Sequence, residues 1–449
     1  MSNHIIRRLP VDTGRSGWEA ISQRNTPVNS LSGDINADWL IVGGGFAGLS
    51  AARRLAQLRP GEKIVVVDAH EIATGPAGRN SGFMIDVPHS LSTGEYATGG
   101  AEATTFEIAQ NRLAIAFARD AAEEYGMSPR TFNPSGKINA SASERGEKMN
   151  ASYAISLGKI GESYKCLDRN EMKEITGSAY YHNGLYTPGA VMIQPAQYIR
   201  DLAAGLANKI ALYEHSPVVQ LSRAGKQWRA FTPQGTVTAD KVILGVNGHI
   251  EDFGHFKGRL MHIFTYASMT RGFDGHAPGG RGTGQESWAL LPADPMGATL
   301  RKITTDRGES RIVIRTRFTY DPSIRVSSER VAKIAAEQRL SLDARHPELK
   351  NLPFENSWAG RLCLSVNSVP AFGEIEENLF SACCENGLGT VKSTLAGIMT
   401  AELATQTRSD SLQSYCGQAD PKRIPPNPVA WMGINSVIRW QEFRAGKEG

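Results

Sequence analysis

The segment from Ala37 to Asp68 restricts the possible folds more than any other part of the chain. An apolar strand, Ala37-Asp38-Trp39-Leu40-Ile41-Val42, runs into Gly43-Gly44-Gly45-Phe46-Ala47-Gly48 and a helix to about Leu58. A second strand, Lys63 to Val67, then ends on Asp68. This is the order of a strand, turn, helix and strand that binds a dinucleotide. Gly43 permits the sharp turn, Gly45 a close approach of backbone to pyrophosphate, and Gly48 tight packing of helix on sheet. The helix N-terminus offers unpaired N–H groups to phosphate oxygens. Asp68, twenty residues beyond Gly48, is placed to accept hydrogen bonds from a ribose diol. An acid there disfavours a 2′-phosphate, so FAD or NAD is expected rather than NADP.

Glycine clusters arise easily in a chain with 46 glycines; it is the flanking strands, helix and acidic tip that make this one informative. At 449 residues the chain is expected to hold two domains. A net charge of +4, with both signs interspersed, excludes a nucleic-acid footprint. Arg7-Arg8 precede polar sequence rather than an apolar run, and no stretch approaches the length of a membrane span, so neither export nor a membrane-spanning segment is expected. Cys166, Cys363, Cys383, Cys384 and Cys416 show no C-x-x-C or zinc spacing. They read as reduced thiols of a cytoplasmic protein with no metal site.

Residues 1–36 are polar and turn-rich, an arm over the first domain with Trp18 and Pro27 as pins. Residues 73–84 form a Gly-rich loop. Helices are expected over 101–125, 143–160, 169–175, 195–206, 328–340, 390–404 and 431–443. The 195–206 helix opens on Gln194-Pro195, and the 328–340 helix buries Val331, Ile334, Ala335 and Leu340. Strand signals crowd at 210–213, 218–221, 228–231, 236–238 and 241–244, as in a meander inserted in the first domain. Others lie at 262–270, 298–303, 311–316 and 379–382. The sequence after residue 378 returns to the nucleotide domain, which is therefore discontinuous.

A second glycine turn, Glu385-Asn386-Gly387-Leu388-Gly389, feeds the helix that starts near Thr390. Two such turns, one near each end of the chain, suit a cofactor with a phosphate end and an electron-accepting ring. The second would aim a positive helix end at developing negative charge. Lys392, in the first turn of that helix, is a candidate catalytic cation.

These features resemble the FAD-dependent D-amino-acid oxidase family, which includes glycine oxidase, and most of all its gamma-glutamylputrescine oxidase branch. The resemblance is carried by Gly43 to Gly48, Asp68, Gly78-Arg79-Asn80-Ser81-Gly82, Gln194-Pro195-Ala196-Gln197-Tyr198, Trp358-Ala359-Gly360, Pro370-Ala371-Phe372-Gly373 and Asn378 to Gly397. It implies an α/β and α+β architecture: a Rossmann-type FAD domain from residues 1–95, 186–260 and 351–449, and a substrate domain from 96–185 and 261–350 built on a large, mostly antiparallel mixed sheet. By the same resemblance FAD is held non-covalently. Its expected contacts are Gly43, Gly45, Phe46, Ala47, Gly48, Asp68, Ala69, Arg79, Asn80, Ser81, the backbone of Val219, Asn247, Gly387, Leu388, Gly389 and Thr390. Some members attach flavin through a cysteine in the region of Cys363, but a plain buried thiol is expected here.

The implied reaction removes a hydride from the carbon next to nitrogen in a primary or secondary amine or amino acid, giving an imine that water hydrolyses. Oxygen or a respiratory carrier would reoxidise the flavin. His262 and Tyr266 are the other catalytic candidates, and Lys302, Arg315 and Trp358 the substrate-binding ones, because they lie on or beside strands expected to face the ring. Arg361 directly follows Gly360, where strand alternation would send it to the face opposite a carboxylate-clamping arginine, which favours an amine over an α-amino acid. A flavin hydroxylase, a flavin-binding accessory or sensor protein without turnover, and an NAD-linked dehydrogenase stand as alternatives. A monomer or small homo-oligomer is expected.

Overall fold

The computed structural model describes residues 2–24, 26–88, 100–275 and 282–449. The expected domain boundary at residues 95/96 lies outside them. Leu40–Val42 and Ile64–Val67 are buried on both faces, as a parallel sheet covered by helices requires. Gly33–Val42 lies between Ile64–Val67 and Gly235–Leu244 and runs parallel to both. Ala211–Tyr213 extends the parallel set beyond Ile64–Val67, and Leu379–Cys383 pairs in parallel with the end of Gly235–Leu244. All five strands therefore end at one edge of the sheet. Gln220–Ala224, Gln227–Thr232 and Gly235–Leu244 form the antiparallel meander. The two strands expected at 236–238 and 241–244 are one continuous strand. Asn3–Ile5 covers the meander's outer edge by pairing with Gln220–Ser222.

The second sheet has eight strands and is antiparallel except where Trp288–Pro292 runs parallel to Lys137–Ser141. Phe354–Leu364 belongs to it, paired along Met261–Thr270 from Leu364 opposite Met261 to Phe354 opposite Thr270. The expected boundary at 350/351 is therefore corrected: chain passes to the nucleotide sheet only after this strand. Between the sheets lies the largest core cluster, in which Trp18, Phe46, Tyr198, Met269 and Trp358 are buried together. The Phe46 and Tyr198 rings stack at 5.7 Å.

The helices start where side chains can cap them: Ser143 accepts from Gly146 N–H, Asp168 forms a capping box with Glu171, and Gln194 accepts from Gln197 N–H ahead of Pro195. The Ser328–Arg345 helix differs from expectation. Its buried side is Val331, Ile334, Gln338, Leu342 and Arg345, and Leu340 is 73% exposed. Gln338 replaces an apolar residue because its amide accepts from Ser268 Oγ at 2.6 Å and donates to Tyr266 O at 2.8 Å.

The N-terminal arm clasps the Gly-rich loop. Ser16 Oγ donates to Gly78 O at 3.0 Å, and the buried Trp18 donates through Nε1 to Asn80 O at 2.9 Å. Pro27, the other expected pin, is exposed. The first glycine turn is fixed by two close approaches. Gly43 has φ +104°, and a Cβ on Gly48 would lie 1.8 Å from Gly43 O. Gly48→Ala is therefore expected to lower stability by about 1–3 kcal/mol through overpacking, read as a fall in the denaturant midpoint; an unchanged midpoint would mean that helix and turn separate freely.

Candidate active site

The ends of the parallel strands open on a cavity of about 1020 Å³. Its walls include the turn residues Gly43, Gly44 and Gly45, the tip residues Asp68 and Ala69, Val246 and Asn247, and Glu385 to Thr390. Phe46 and Ala47 line it from the first helix, Asn80 and Ser81 from the Gly-rich loop. Gly48 lies just behind, against the turn.

Helix capping marks this cavity as an anion site. Six helices receive a side-chain cap, from Ser16, Ser143, Asp168, Gln194, Ser327 and Ser409. The helices starting at Phe46, Gly389 and Val429 have none, and the first two open on the cavity. Their first-turn N–H groups are left for a ligand. Asp68 Oδ2 accepts from Gly44 N–H at 2.7 Å and Oδ1 from His70 N–H at 2.9 Å, which fixes the carboxylate in the wall. Burial raises its pKa, and those two backbone donors counter the rise.

Two expected cofactor contacts are corrected. Arg79 does not line the cavity; its guanidinium donates to the carbonyls of Thr74, Thr13, Gly14 and Ala359 and fastens the arm to the loop. Val219 has its N–H on Phe231 O at 2.8 Å and its C=O taken by Ile6 N–H at 3.0 Å, so its backbone is occupied within the sheet. Val218 and Ser216 line the cavity instead. The arm expected over the first domain also contributes to the wall, which was not foreseen: Ile6, Arg8, Leu9, Pro10 and Asp12 line the cavity.

The eight-stranded sheet closes the other side through Thr265, Leu291, Pro292, Arg315 and Phe318. His262 reaches the cavity, but its Nε2 is bound to Glu251 Oε2 at 2.6 Å. Lys392 does so too, paired with Glu107 at 2.9 Å. Three other candidates point away. Tyr266 lies under the Ser328–Arg345 helix with its hydroxyl 2.7 Å from Thr319 Oγ1, because Thr265 takes the cavity face of that strand. Lys302 donates to Gln285 O at 2.9 Å, and Trp358 sits in the core donating to Arg79 O at 3.0 Å.

Arg361 lines the cavity rather than facing away from it. Its guanidinium donates to Asp12 Oδ2 at 2.8 Å and to His249 Nε2 at 2.6 Å, and is thus committed to the arm. Arg8 is paired with Asp252 at 2.7 Å. Among the cavity-lining arginines and lysines, only Arg315 has no acidic partner among the described residues. Nη2 donates to Thr299 Oγ1 at 2.7 Å, while Nη1 is buried without a partner. Burial lowers its pKa to about 10, so it is cationic at neutral pH.

A sequence model described as FAD dependent oxidoreductase matches residues 38–403. The chain belongs to this family. It is 24% identical over 414 residues to the probable oxidoreductase OrdL of Rhizobium meliloti, covering 88% of this chain and 89% of that protein. It is also 24% identical to gamma-glutamylputrescine oxidoreductase of Escherichia coli over 409 residues, 86% of this chain and 88% of that one. The crystal structure of glycine oxidase from Geobacillus kaustophilus superposes with a TM-score of 0.67 at 19% identity, over 84% of this chain and 96% of the other.

The cavity suits FAD. Gln110 Oε1, Asn247 Oδ1, Arg315 Nη1, Arg361 Nε and Glu385 Oε1 are buried and unpartnered, and all belong to wall residues. So many orphaned polar atoms in one place call for a large polar ligand. Cys363 also lines the cavity, but its interaction with Cys384, followed by burial, holds the thiol well above its ordinary pKa. A protonated thiol is a poor nucleophile, in keeping with non-covalent FAD.

Glu385, beside the second glycine turn, was not foreseen. Burial pushes its carboxyl up to about 8, against smaller opposing effects of Lys392 and of Tyr415, whose hydroxyl is 3.4 Å away. The folded state thus keeps a proton that the unfolded chain releases above about pH 4.5, so stability is expected to fall as pH rises from there towards 8. The slope from this group is at most about 1.4 kcal/mol per pH unit. Thermal unfolding across that range should show Glu385→Gln with a flatter profile than the parent; identical profiles would remove the assignment.

Proposed function

We propose that this FAD-dependent oxidoreductase oxidises the carbon bearing the nitrogen of a primary or secondary amine that also carries a carboxylate. The observation that carries this reading is Arg315: a partly buried cation on the cavity wall, with Nη1 buried and unpartnered and no acid to neutralise it among the described residues. A carboxylate is the anion that satisfies such a guanidinium, through charge-assisted hydrogen bonds. The free cation reverses the inference drawn from Arg361, which is engaged by Asp12.

FAD, when bound, accepts the electron pair of the C–H bond. The amine loses an N–H proton to solvent, and water adds to the imine to release a carbonyl compound and the nitrogen fragment. The chain's part is chiefly to bind and orient. Arg315 would hold the carboxylate, Phe318, Leu291 and Leu388 would supply apolar walls, and Lys392 with the Gly389 helix end would keep that end of the cavity positive. His262 is fixed by Glu251 and would shape the wall. The five free cysteines support a cytoplasmic location, and oxygen or a respiratory carrier would restore the oxidised flavin.

Anaerobic mixing with amino acids, N-substituted amino acids and the corresponding decarboxylated amines tests the reading through loss of the oxidised flavin absorbance. Carboxylate-bearing amines should bleach the protein, and their decarboxylated counterparts should not. In Arg315→Met, kcat/KM for the best substrate is expected to fall about 100-fold, mainly through KM, because a buried charge pair is broken. Bleaching by simple amines alone would overturn the carboxylate assignment. Bleaching only by NAD(P)H would indicate a hydroxylase, and no bleaching by any amine an accessory protein.

A further inference from the structure

The C-terminal helix, Val429–Ala445, is apolar on two sides. One side is anchored: Ala430 and Ile438 are buried with Ile263 and Tyr320, and Asn435 and Glu442 accept from the backbone N–H groups of Tyr320 and Phe318. On the other side Val429, Met432, Val437, Trp440 and Phe443 are 57, 53, 54, 57 and 84% exposed. At 3.6 residues per turn these five fall within an arc of about 140°. Trp431, 49% exposed, lies outside this arc, but five large side chains on one open helix face mark a contact surface.

The exposed charges of the helix and of the segment leading into it are mainly basic. Lys422, Arg423, Arg439, Arg444 and Lys447 are exposed, and the Arg444 guanidinium lies 4.6 Å from the centroid of the Trp440 ring. Of the three acids between residues 420 and 449, Asp420 is exposed and paired with Arg259 at 3.5 Å, and the other two are turned inward. Glu442 is held by Phe318 N–H, Arg317 and Arg439, and Glu448 by Ala142 N–H and Ser143. Of the five cations only Arg439 has an ion pair among the described residues.

We propose that this face docks on the surface of an anionic lipid bilayer, with Trp440 and Phe443 at headgroup depth and the cations against lipid phosphates. An aromatic and aliphatic stripe bordered by arginine and lysine is the composition of a helix lying in such an interface. No helix among the described residues is long and apolar enough to cross a membrane, so the contact is peripheral. A second copy of the chain is the less suitable occupant. Two-fold pairing through this helix would bring the same cations together, with few exposed acids in the segment to offset them.

The test uses the full-length, flavin-loaded chain and co-sedimentation with vesicles of phosphatidylcholine alone or of equal parts phosphatidylcholine and phosphatidylglycerol. Binding to the anionic vesicles is expected to be tighter by at least about ten-fold and to weaken with salt. It should be lost in Trp440→Ser/Phe443→Ser, whose side chains are exposed, with the unfolding temperature and flavin absorbance unchanged. If the double variant proves unstable, Phe443→Ser alone serves, with reduced binding expected. Absence of binding, equal binding to both vesicles, or undiminished binding of a folded variant would overturn the proposal. So would a dimer in solution that the same substitutions dissociate, which would assign the face to a second copy.

Discussion

The parallel register of the nucleotide sheet is the constraint on which the rest of the structure depends. Val42 stands beside both Val67 and Leu244, and Leu244 beside Ser381. Strands that end in line must release their chains into loops at the same edge, and there the glycine turns, Asp68, Asn247 and Glu385 meet. The two helices that follow the glycine turns also start at that edge, both without a side-chain cap. Leaving a helix end uncapped costs about 1 kcal/mol, and here the cost falls where a negatively charged ligand can offset it. Gly48 tightens the arrangement, because its missing Cβ is what allows the helix to rest on Gly43 O.

Much of this half was legible in the sequence because its roles demand particular residue types: a residue at φ +104°, a helix with no Cβ at its contact, an acid at a strand tip. The substrate half was less legible, and Met261–Thr270 shows why. Ile263, Ala267 and Met269 face one way into the interior, while Phe264, Tyr266 and Ser268 lie under the Ser328–Arg345 helix. A strand buried on both faces shows no alternation of polar and apolar residues, so nothing in the sequence tells Thr265, which reaches the cavity, from Tyr266, which does not. Arg301 and Lys302 raise the same difficulty: adjacent cations point to opposite faces, one to the carbonyls of Ser81, Gly82 and Ile193, the other to Gln285 O. Leu340 misled differently, since it matches the helical period well enough, yet Gln338 takes the inward place through hydrogen bonds that no periodicity displays.

The arm is the clearest case of information that is not local. Its composition marks it as irregular, but its function comes from contacts 65 to 349 residues away along the chain. Asp12 reaches Arg361, and Thr13 and Gly14 receive the Arg79 guanidinium. Arg361, which alternation would have sent to the opposite face of the strand, is in the wall, where the arm supplies it with an acid. His249 completes the pairing as a neutral ring, donating from Nδ1 to Asp252 and accepting from Arg361 at Nε2; burial, ahead of the repulsion from Arg361, keeps its pKa low.

With these cations committed, the charge balance of the cavity follows from two unpaired features. At the end formed by Gly387 to Thr390, the helix terminus and Lys392 are positive, and Glu107 offsets only part of that charge. Glu385 would offset more, but burial keeps its carboxyl protonated up to about pH 8, so at neutral pH it is mostly uncharged. On the opposite wall Arg315 remains cationic and half satisfied. A cavity positive at two points, walled by apolar side chains between them, is what the proposed function requires: an electron-rich ring edge would lie at the helix end and a substrate carboxylate at the sheet. The nitrogen of a substrate held this way has to be neutral when its C–H bond breaks, and flanking positive charge favours that state by depressing the pKa of a bound ammonium. On the proposed function, the field of the chain would therefore favour the reactive form of an amine without a side chain dedicated to removing the proton.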